Sequence, residues 1–200
     1  MLKLFIAAAL AGAAHAYTTI PAYTRAWPVD IQASAEFTPA DAQVIARAAQ
    51  AWNAALGGAA FRVWRGGAPT TTVRDGVSTL SKYGGPGGGT YLWANYGQFR
   101  WRVVESDTYV SRALAGNALY NTLLHELGHA LGLEHNGSSP IMGMKLLVAP
   151  SGEPLPMVLI PISGDDVAGI RSLARPPRGA HGEDETPAAP RRQAEKTAPP

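Results

Sequence analysis

The chain has 200 residues, of which 46% are hydrophobic, and its net charge is +2. This length is typical of one globular domain with short appendages, and the few scattered basic residues form no patch of the kind that binds nucleic acid. The chain contains no cysteine. Disulfides, thiolate nucleophiles and thiolate metal ligands are therefore excluded.

Residues 1–16 have the features of a secretory signal. Lys3 supplies the positive charge, residues 4–14 form a short apolar run, and Ala14-His15-Ala16 matches a small-x-small cleavage site. The apolar run is too short to span a bilayer. We therefore expect no membrane span and a secreted protein that begins at Tyr17 after cleavage, located outside the cell or, in a Gram-negative host, in the periplasm.

The first half of the mature chain is predicted to alternate strands with one long helix. Thr38 caps a helix that begins at Pro39 and ends at Gly57-Gly58. Strands are expected at Val29–Ala33, at 60–64, within 70–80, after the glycine-rich loop KYGGPGGGTYLW and at 99–110. Four aromatic residues are expected to pack within a hairpin, and lining of a substrate cleft is the alternative: Trp93, Tyr96, Phe99 and Trp101.

The second half is predicted to hold two helices and a loop. An apolar pattern over Asn117–Gly132 indicates a long helix, and a proline-punctuated loop follows at Gly143–Ile162. Ser163-Gly-Asp-Asp166 is a capping box that opens a short helix. After residue 175 the composition changes to proline, alanine and mixed charge, which cannot form a core. We expect a domain at 17–175 and a disordered tail at 176–200.

The stretch HELGHALGLEH, residues 125–135, holds three of the five histidines of the chain. His125 and His129 lie four residues apart and so share one face of a helix, where both can bind one metal ion. Gly132 can end the helix in a left-handed conformation and return His135 as a third ligand. Glu126 can then reach a water on the ion. Three nitrogen ligands leave one position open, as in catalytic zinc sites; ordinary histidines on a helix face are the alternative.

The motif is the HExxHxxGxxH signature of the metzincin metalloproteases, and the chain resembles this family most in its matrixin group, over about residues 26–175. The resemblance implies an α+β fold with a twisted, mostly parallel five-stranded sheet, two long helices, an active-site cleft, a methionine turn and a C-terminal helix. It implies zinc bound by His125, His129 and His135, with Glu126 as general base and acid. Met142 matches the methionine of the turn, with Met144 as the second candidate.

Several family features are absent or altered. The chain has no histidine between residues 16 and 124, so we expect one catalytic zinc and no structural zinc. Acidic calcium ligands are not evident in the glycine-rich loop, which leaves calcium in doubt. Asn136 stands where matrixins usually carry serine, and a cysteine-switch propeptide is missing. Asn136-Gly-Ser138 is also a glycosylation acceptor, which is usually inert in a bacterial host.

These features predict a secreted, monomeric zinc endopeptidase that hydrolyses extracellular proteins or peptides. Its substrate would pair with the edge strand near Thr90–Asn95. The resemblance implies that the loop at Lys145–Ile162 forms an apolar wall for the substrate side chain just after the cleaved bond. The alternatives are a catalytically silent zinc-binding interaction module and a zinc hydrolase of another amide.

Overall fold

The computed structural model describes residues 17, 19–20, 23–64, 69–75, 88–97, 100–144 and 157–174. The leader, most of the glycine-rich loop, Phe99, residues 145–156 and the tail at 176–200 lie outside the described residues. The predicted signal, domain limits and tail therefore stay predictions. No helix within these ranges is long and apolar enough to cross a membrane.

The described strands form one sheet. The longest strand, β6, pairs in parallel with β1 and β4 and antiparallel with β5, while β2 pairs in parallel with β3 and β4. The predicted α+β class with a mostly parallel sheet is confirmed. The strands are β1 (Tyr23–Arg25), β2 (Val29–Ala33), β3 (Phe61–Val63), β4 (Thr71–Asp75), β5 (Gly88–Gly97) and β6 (Arg100–Val110).

Strand β1 is an addition to the predicted set of five strands. Its three residues pair with Trp101, Arg102 and Val103 of β6. Because these partners are far away in the sequence, no local pattern predicts the strand. Arg25 ends the strand and donates hydrogen bonds to Ser106 Oγ, Thr71 Oγ1 and the main-chain oxygens of Thr70 and Ala130. One guanidinium thus ties the sheet to the carboxyl end of the second helix, where a cation is favourable.

Helix α1 (Pro39–Leu56) matches its predicted limits. Thr38 Oγ1 accepts a hydrogen bond from Asp41 N, and Asp41 Oδ2 accepts one from Thr38 N, which completes a capping box. Gly57 ends the helix at φ 69°, a left-handed conformation that glycine adopts readily. One stripe of the helix is buried: Ile45, Ala48, Ala49, Trp52 and Leu56.

Helix α2 (Gly116–Ala130) carries the histidine motif and is two residues shorter at its end than predicted. It packs against α1, where Trp52 Nε1 donates a 3.0 Å hydrogen bond to Leu124 O. Helix α3 (Gly164–Ala174) begins with the predicted capping box, in which Ser163 N donates to Asp166 Oδ2 and Asp166 N donates to Ser163 Oγ. Ile170 of α3 is fully buried in the same hydrophobic core as α1 and α2.

Strands β5 and β6 form the predicted hairpin, which opposes Tyr96 to Trp101. Among the described strands, β5 pairs with β6 and with no other strand, so β5 lies at an edge of the sheet. It is the edge strand that was predicted to pair with substrate. The packing predicted for the aromatic side chains of this hairpin concerns groups outside the described part of the structure.

Candidate metal centre

The three motif histidines converge on one point. The Nε2 atoms of His125 and His129 are 3.1 Å apart, those of His125 and His135 are 3.2 Å apart, and those of His129 and His135 are 3.3 Å apart. Among the residues that the structure describes, these histidines form the one group of three or more His, Cys, Asp or Glu side chains that could hold a metal ion.

This nitrogen triangle fits zinc. Two ligands 2.0–2.1 Å from a tetrahedral ion are separated by about 3.3–3.4 Å, close to the separations observed. Three neutral imidazoles are also the ligand set of known catalytic zinc sites. The exposure of the ligands is graded, because His125 is buried, His129 is half-buried and His135 is exposed. The metal position therefore opens towards solvent on the side of His135.

The chain after α2 returns to the helix because of a glycine. Gly132 has φ 101°, in the region that favours glycine, and Leu133 N donates to Gly128 O. The predicted turn at Gly132 is therefore present, although the helix itself ends at Ala130. The turn places His135 beside His125, with ring centroids 5.1 Å apart.

The second nitrogen of two of these rings contacts a main-chain oxygen. His125 Nδ1 lies 2.8 Å from Ile141 O, and His129 Nδ1 lies 2.7 Å from Leu133 O. A carbonyl can only accept a hydrogen bond, so each Nδ1 carries the proton and each Nε2 presents a lone pair to the metal position. Burial lowers the pKa of both imidazoles, that of His129 to about 4, and both are neutral at pH 7.

The methionine turn predicted after His135 is a compact loop. Asn136 N donates to Met142 O, Gly143 N donates to Ser139 O, and Met142 N donates to Ser139 Oγ. Met142 is buried and its sulfur packs against Gly128 of α2, where an added Cβ would come within 2.6 Å of it. Met144 is half-buried at the end of the loop. Met142, the first of the two candidates, thus lies against the motif helix.

Glu126 lies between α2 and the edge strand. Its side chain is only 5% exposed, and its Oε2 accepts a 2.9 Å hydrogen bond from Thr90 Oγ1 of β5. Burial raises the pKa of this carboxyl group to about 7, against the opposing effect of the hydrogen bond from Thr90. Thr90 was not among the predicted site residues, because nothing in the local sequence links it to a position 36 residues further along the chain.

A second set of contacts missed from the sequence holds the segment Met157–Ile160 against α2. Asn117 Nδ2 donates to Met157 O, Asn121 Nδ2 donates to Val158 O, and Ile160 N donates to Asn121 Oδ1. The two asparagines are four residues apart and so share a helix face. Their contacts leave Val158 and Leu159 exposed. This segment is the described end of the loop predicted as the substrate wall; residues 145–156 of that loop lie outside the description.

The α+β fold, the motif spacing and the triad together define the class of protein that the chain resembles, the zinc metalloproteases of the metzincin type. Over 69 residues the chain is 33% identical to macrophage metalloelastase of Oryctolagus cuniculus. That stretch is 34% of this chain and 14% of the relative, so the chain spans a small part of the relative's length. The predicted resemblance to the matrixin group is confirmed by this similarity.

A solved structure similar to the chain is that of high choriolytic enzyme 1, a hatching-enzyme zinc protease of Oryzias latipes. It is 14% identical in sequence with a TM-score of 0.41, over 72% of this chain and 88% of that chain. No family profile matches the chain.

Proposed function

We propose that the protein is a secreted zinc-dependent endopeptidase in which His125, His129 and His135 hold the metal and Glu126 is the general base and acid. The observation that carries the proposal is the triangle of three Nε2 atoms 3.1–3.3 Å apart, two of them with the tautomer fixed by a main-chain oxygen. The similarity to zinc metalloproteases supports the reaction class.

A zinc ion in this site would supply a Lewis acid that polarises a peptide carbonyl and lowers the pKa of bound water towards about 7. The role of the histidines is to hold the ion and leave its open side towards solvent and substrate. Glu126 follows His125 directly in α2, so its carboxylate is the charged oxygen group that the helix carries beside the ligands. It accepts the proton of the attacking water and delivers that proton to the leaving amine nitrogen.

The substrate binds in an extended conformation along β5. An edge strand offers main-chain donors and acceptors to an added strand, and β5 occupies such an edge beside the helix that carries Glu126. On the other side of α2, the segment Met157–Ile160 presents apolar side chains held by Asn117 and Asn121. We assign the pocket for the residue after the cleaved bond to this segment and the loop that precedes it.

The test uses a quenched peptide library and the purified mature chain. We expect one zinc per chain, loss of cleavage on addition of a chelator and recovery with added zinc. Glu126→Gln should keep the metal and lose kcat by about 10² or more, because the base is removed without touching a ligand. Glu134→Gln is the matched control within the same motif and should cleave at the wild-type rate. Loss of zinc from Glu126→Gln would show that the role of Glu126 is misassigned. Two tightly held zinc ions per chain would contradict the prediction that the chain has no structural zinc.

The second candidate is a zinc-binding interaction module without activity. The buried carboxylate of Glu126 argues against it, because a binding module has no use for an acidic side chain that is costly to bury. The same assay separates the two functions. A chain that holds one zinc and cleaves no member of the library would favour the interaction module.

A further inference from the structure

Thr90 is the one hydroxyl group in the described structure that bonds to Glu126. Its Oγ1 lies 2.9 Å from Glu126 Oε2, 3.0 Å from Glu126 O and 3.2 Å from Thr108 Oγ1 on the neighbouring strand β6. Thr90 and Thr108 face each other across the antiparallel pair, and Thr108 is fully buried. The two hydroxyl groups and the carboxyl group therefore form a short line that leads from the sheet to the helix.

The protons of this line can be assigned. Thr108 donates to Thr90 Oγ1, and Thr90 then donates its single proton to Glu126, shared between the carboxylate and the main-chain oxygen.

Gly88 bounds the other side of the same carboxyl group. It lies two residues before Thr90 and so shares its face of β5. A Cβ added at Gly88 would come within 2.7 Å of Glu126 Oε1 and 2.8 Å of Glu126 Cγ. The main chain of Gly88 and the hydroxyl group of Thr90 thus both lie against the carboxyl group, Gly88 next to Oε1 and Thr90 next to Oε2.

We propose that Thr90 is a positioning residue for Glu126, and that Gly88 provides the space in which Thr90 holds the carboxyl group. This inference rests on the proposed function, in which Glu126 moves the proton. It also assigns a second role to β5, because the strand that is expected to bind substrate through its main chain orients the base through a side chain. The alternative is that the Thr90–Glu126 hydrogen bond only joins the strand to the helix and has no effect on the reaction. The experiment must distinguish these two roles.

The experiment compares Thr90→Val with Thr90→Ser and Thr108→Val in the zinc-loaded full chain, with kcat, KM, zinc content and melting temperature measured for each. Thr90→Val keeps the shape and removes the hydroxyl group, and kcat should fall about tenfold with KM unchanged, which is the scale of loss when a hydrogen-bond partner behind a metal site is removed. Thr90→Ser should restore most of kcat. Thr108→Val removes a hydroxyl group one step further from Glu126, and its loss of kcat should be smaller than that of Thr90→Val.

Three outcomes would overturn the inference: a wild-type kcat in Thr90→Val, a raised KM at unchanged kcat, or equal losses in Thr90→Val and Thr108→Val. If Thr90→Val does not melt cooperatively, Gly88→Ala decides. Its Cβ displaces the carboxyl group, so we expect a similar loss of kcat with zinc retained, and a wild-type kcat would count against the proposal.

The Glu126→Gln background separates this inference from the proposed function. Once the base is gone, Thr90→Val should cause no further loss, because residues that act as a unit are not additive. A further loss in that background would contradict action through Glu126. If the wild-type chain itself does not cleave and Glu126→Gln equals it, the proposed function has failed, and the positioning inference fails with it.

Discussion

The two long helices differ in how they are capped and in how much of their surface is buried. Helix α1 has a capping box at Thr38 and one buried apolar stripe, and none of its polar side chains is fully buried. Helix α2 has no side-chain cap at Ala115 and is buried over most of its surface. Four of its buried side chains are polar: Asn121, Thr122, His125 and Glu126. Buried polar groups are costly unless they are paired. Helix α1 is thus explained by folding alone, whereas α2 retains groups that folding disfavours, as expected of a functional site.

The buried polar groups of α2 find partners in three distant parts of the chain. Asn121 bonds to the main chain of Val158 and Ile160, His125 to Ile141 O, and Glu126 to Thr90. The hydroxyl group of Thr122 has no hydrogen-bond partner in the part of the chain that the structure describes. Long-range polar contacts therefore fix the position of α2 in addition to its apolar packing.

Removal of α3 should affect both helices and have the largest effect. Arg171 Nη2 donates to Leu56 O at the end of α1, and Gly169 packs against Leu133 just after α2. Burial of each apolar side chain of α3, such as Ile170, contributes about 1.5–3 kcal/mol, against a total stability of about 5–15 kcal/mol. A chain ending at residue 162 should therefore not melt cooperatively.

The control for this deletion is a chain ending at residue 175, which lacks only the proline-rich tail. It should melt like the full chain and cleave a short peptide at the same rate. Equal melting of the 162 and 175 chains would show that the predicted domain boundary is wrong.

The next largest effect is expected for Gly128→Ala in the interior of α2. Alanine favours a helix by about 1 kcal/mol over glycine. At this position, however, the new Cβ would lie 2.6 Å from Met142 Sδ and 3.2 Å from Trp52 Cζ2. Overpacking of a buried site costs about 1–3 kcal/mol, which outweighs the helix preference of alanine. The free energy of unfolding measured in urea should therefore be lower than that of the wild type.

Gly58→Ala is the matched control, because a Cβ at Gly58, just after α1, meets nothing within 4 Å. It should change stability by less than about 0.5 kcal/mol. A Gly128→Ala variant as stable as Gly58→Ala would mean that the methionine turn shifts at little cost and that its contact with Gly128 does not constrain α2.

The difference between local and long-range contacts also explains which features could be predicted from the sequence. The start of α1, strand β2 and the capping box of α3 were predicted because caps and periodicity are local. The three histidines of the candidate metal centre were singled out because they lie within one motif of eleven residues, and the structure brings them together. Thr90, Asn121 and β1 were not predicted. Their partners, Glu126, Val158 and strand β6, lie 36 or more residues away in the sequence. Pairings over such distances cannot be predicted from local sequence patterns.

The smallest effect should come from Thr38→Ala at the start of α1. Thr38 Oγ1 accepts a hydrogen bond from Asp41 N and donates one to Asp41 Oδ2 at 2.7 Å, and alanine can do neither. Loss of such a cap costs about 1 kcal/mol. Because the hydrogen bonds of Thr38 lie within the first turn of α1 and this helix carries no site residue, zinc content and kcat should be unchanged while the urea midpoint falls. Thr38→Ser keeps the hydroxyl group and should restore the midpoint. A fall in kcat with zinc retained would mean that α1 transmits strain to α2 through Trp52, and the two helices would then not be independent.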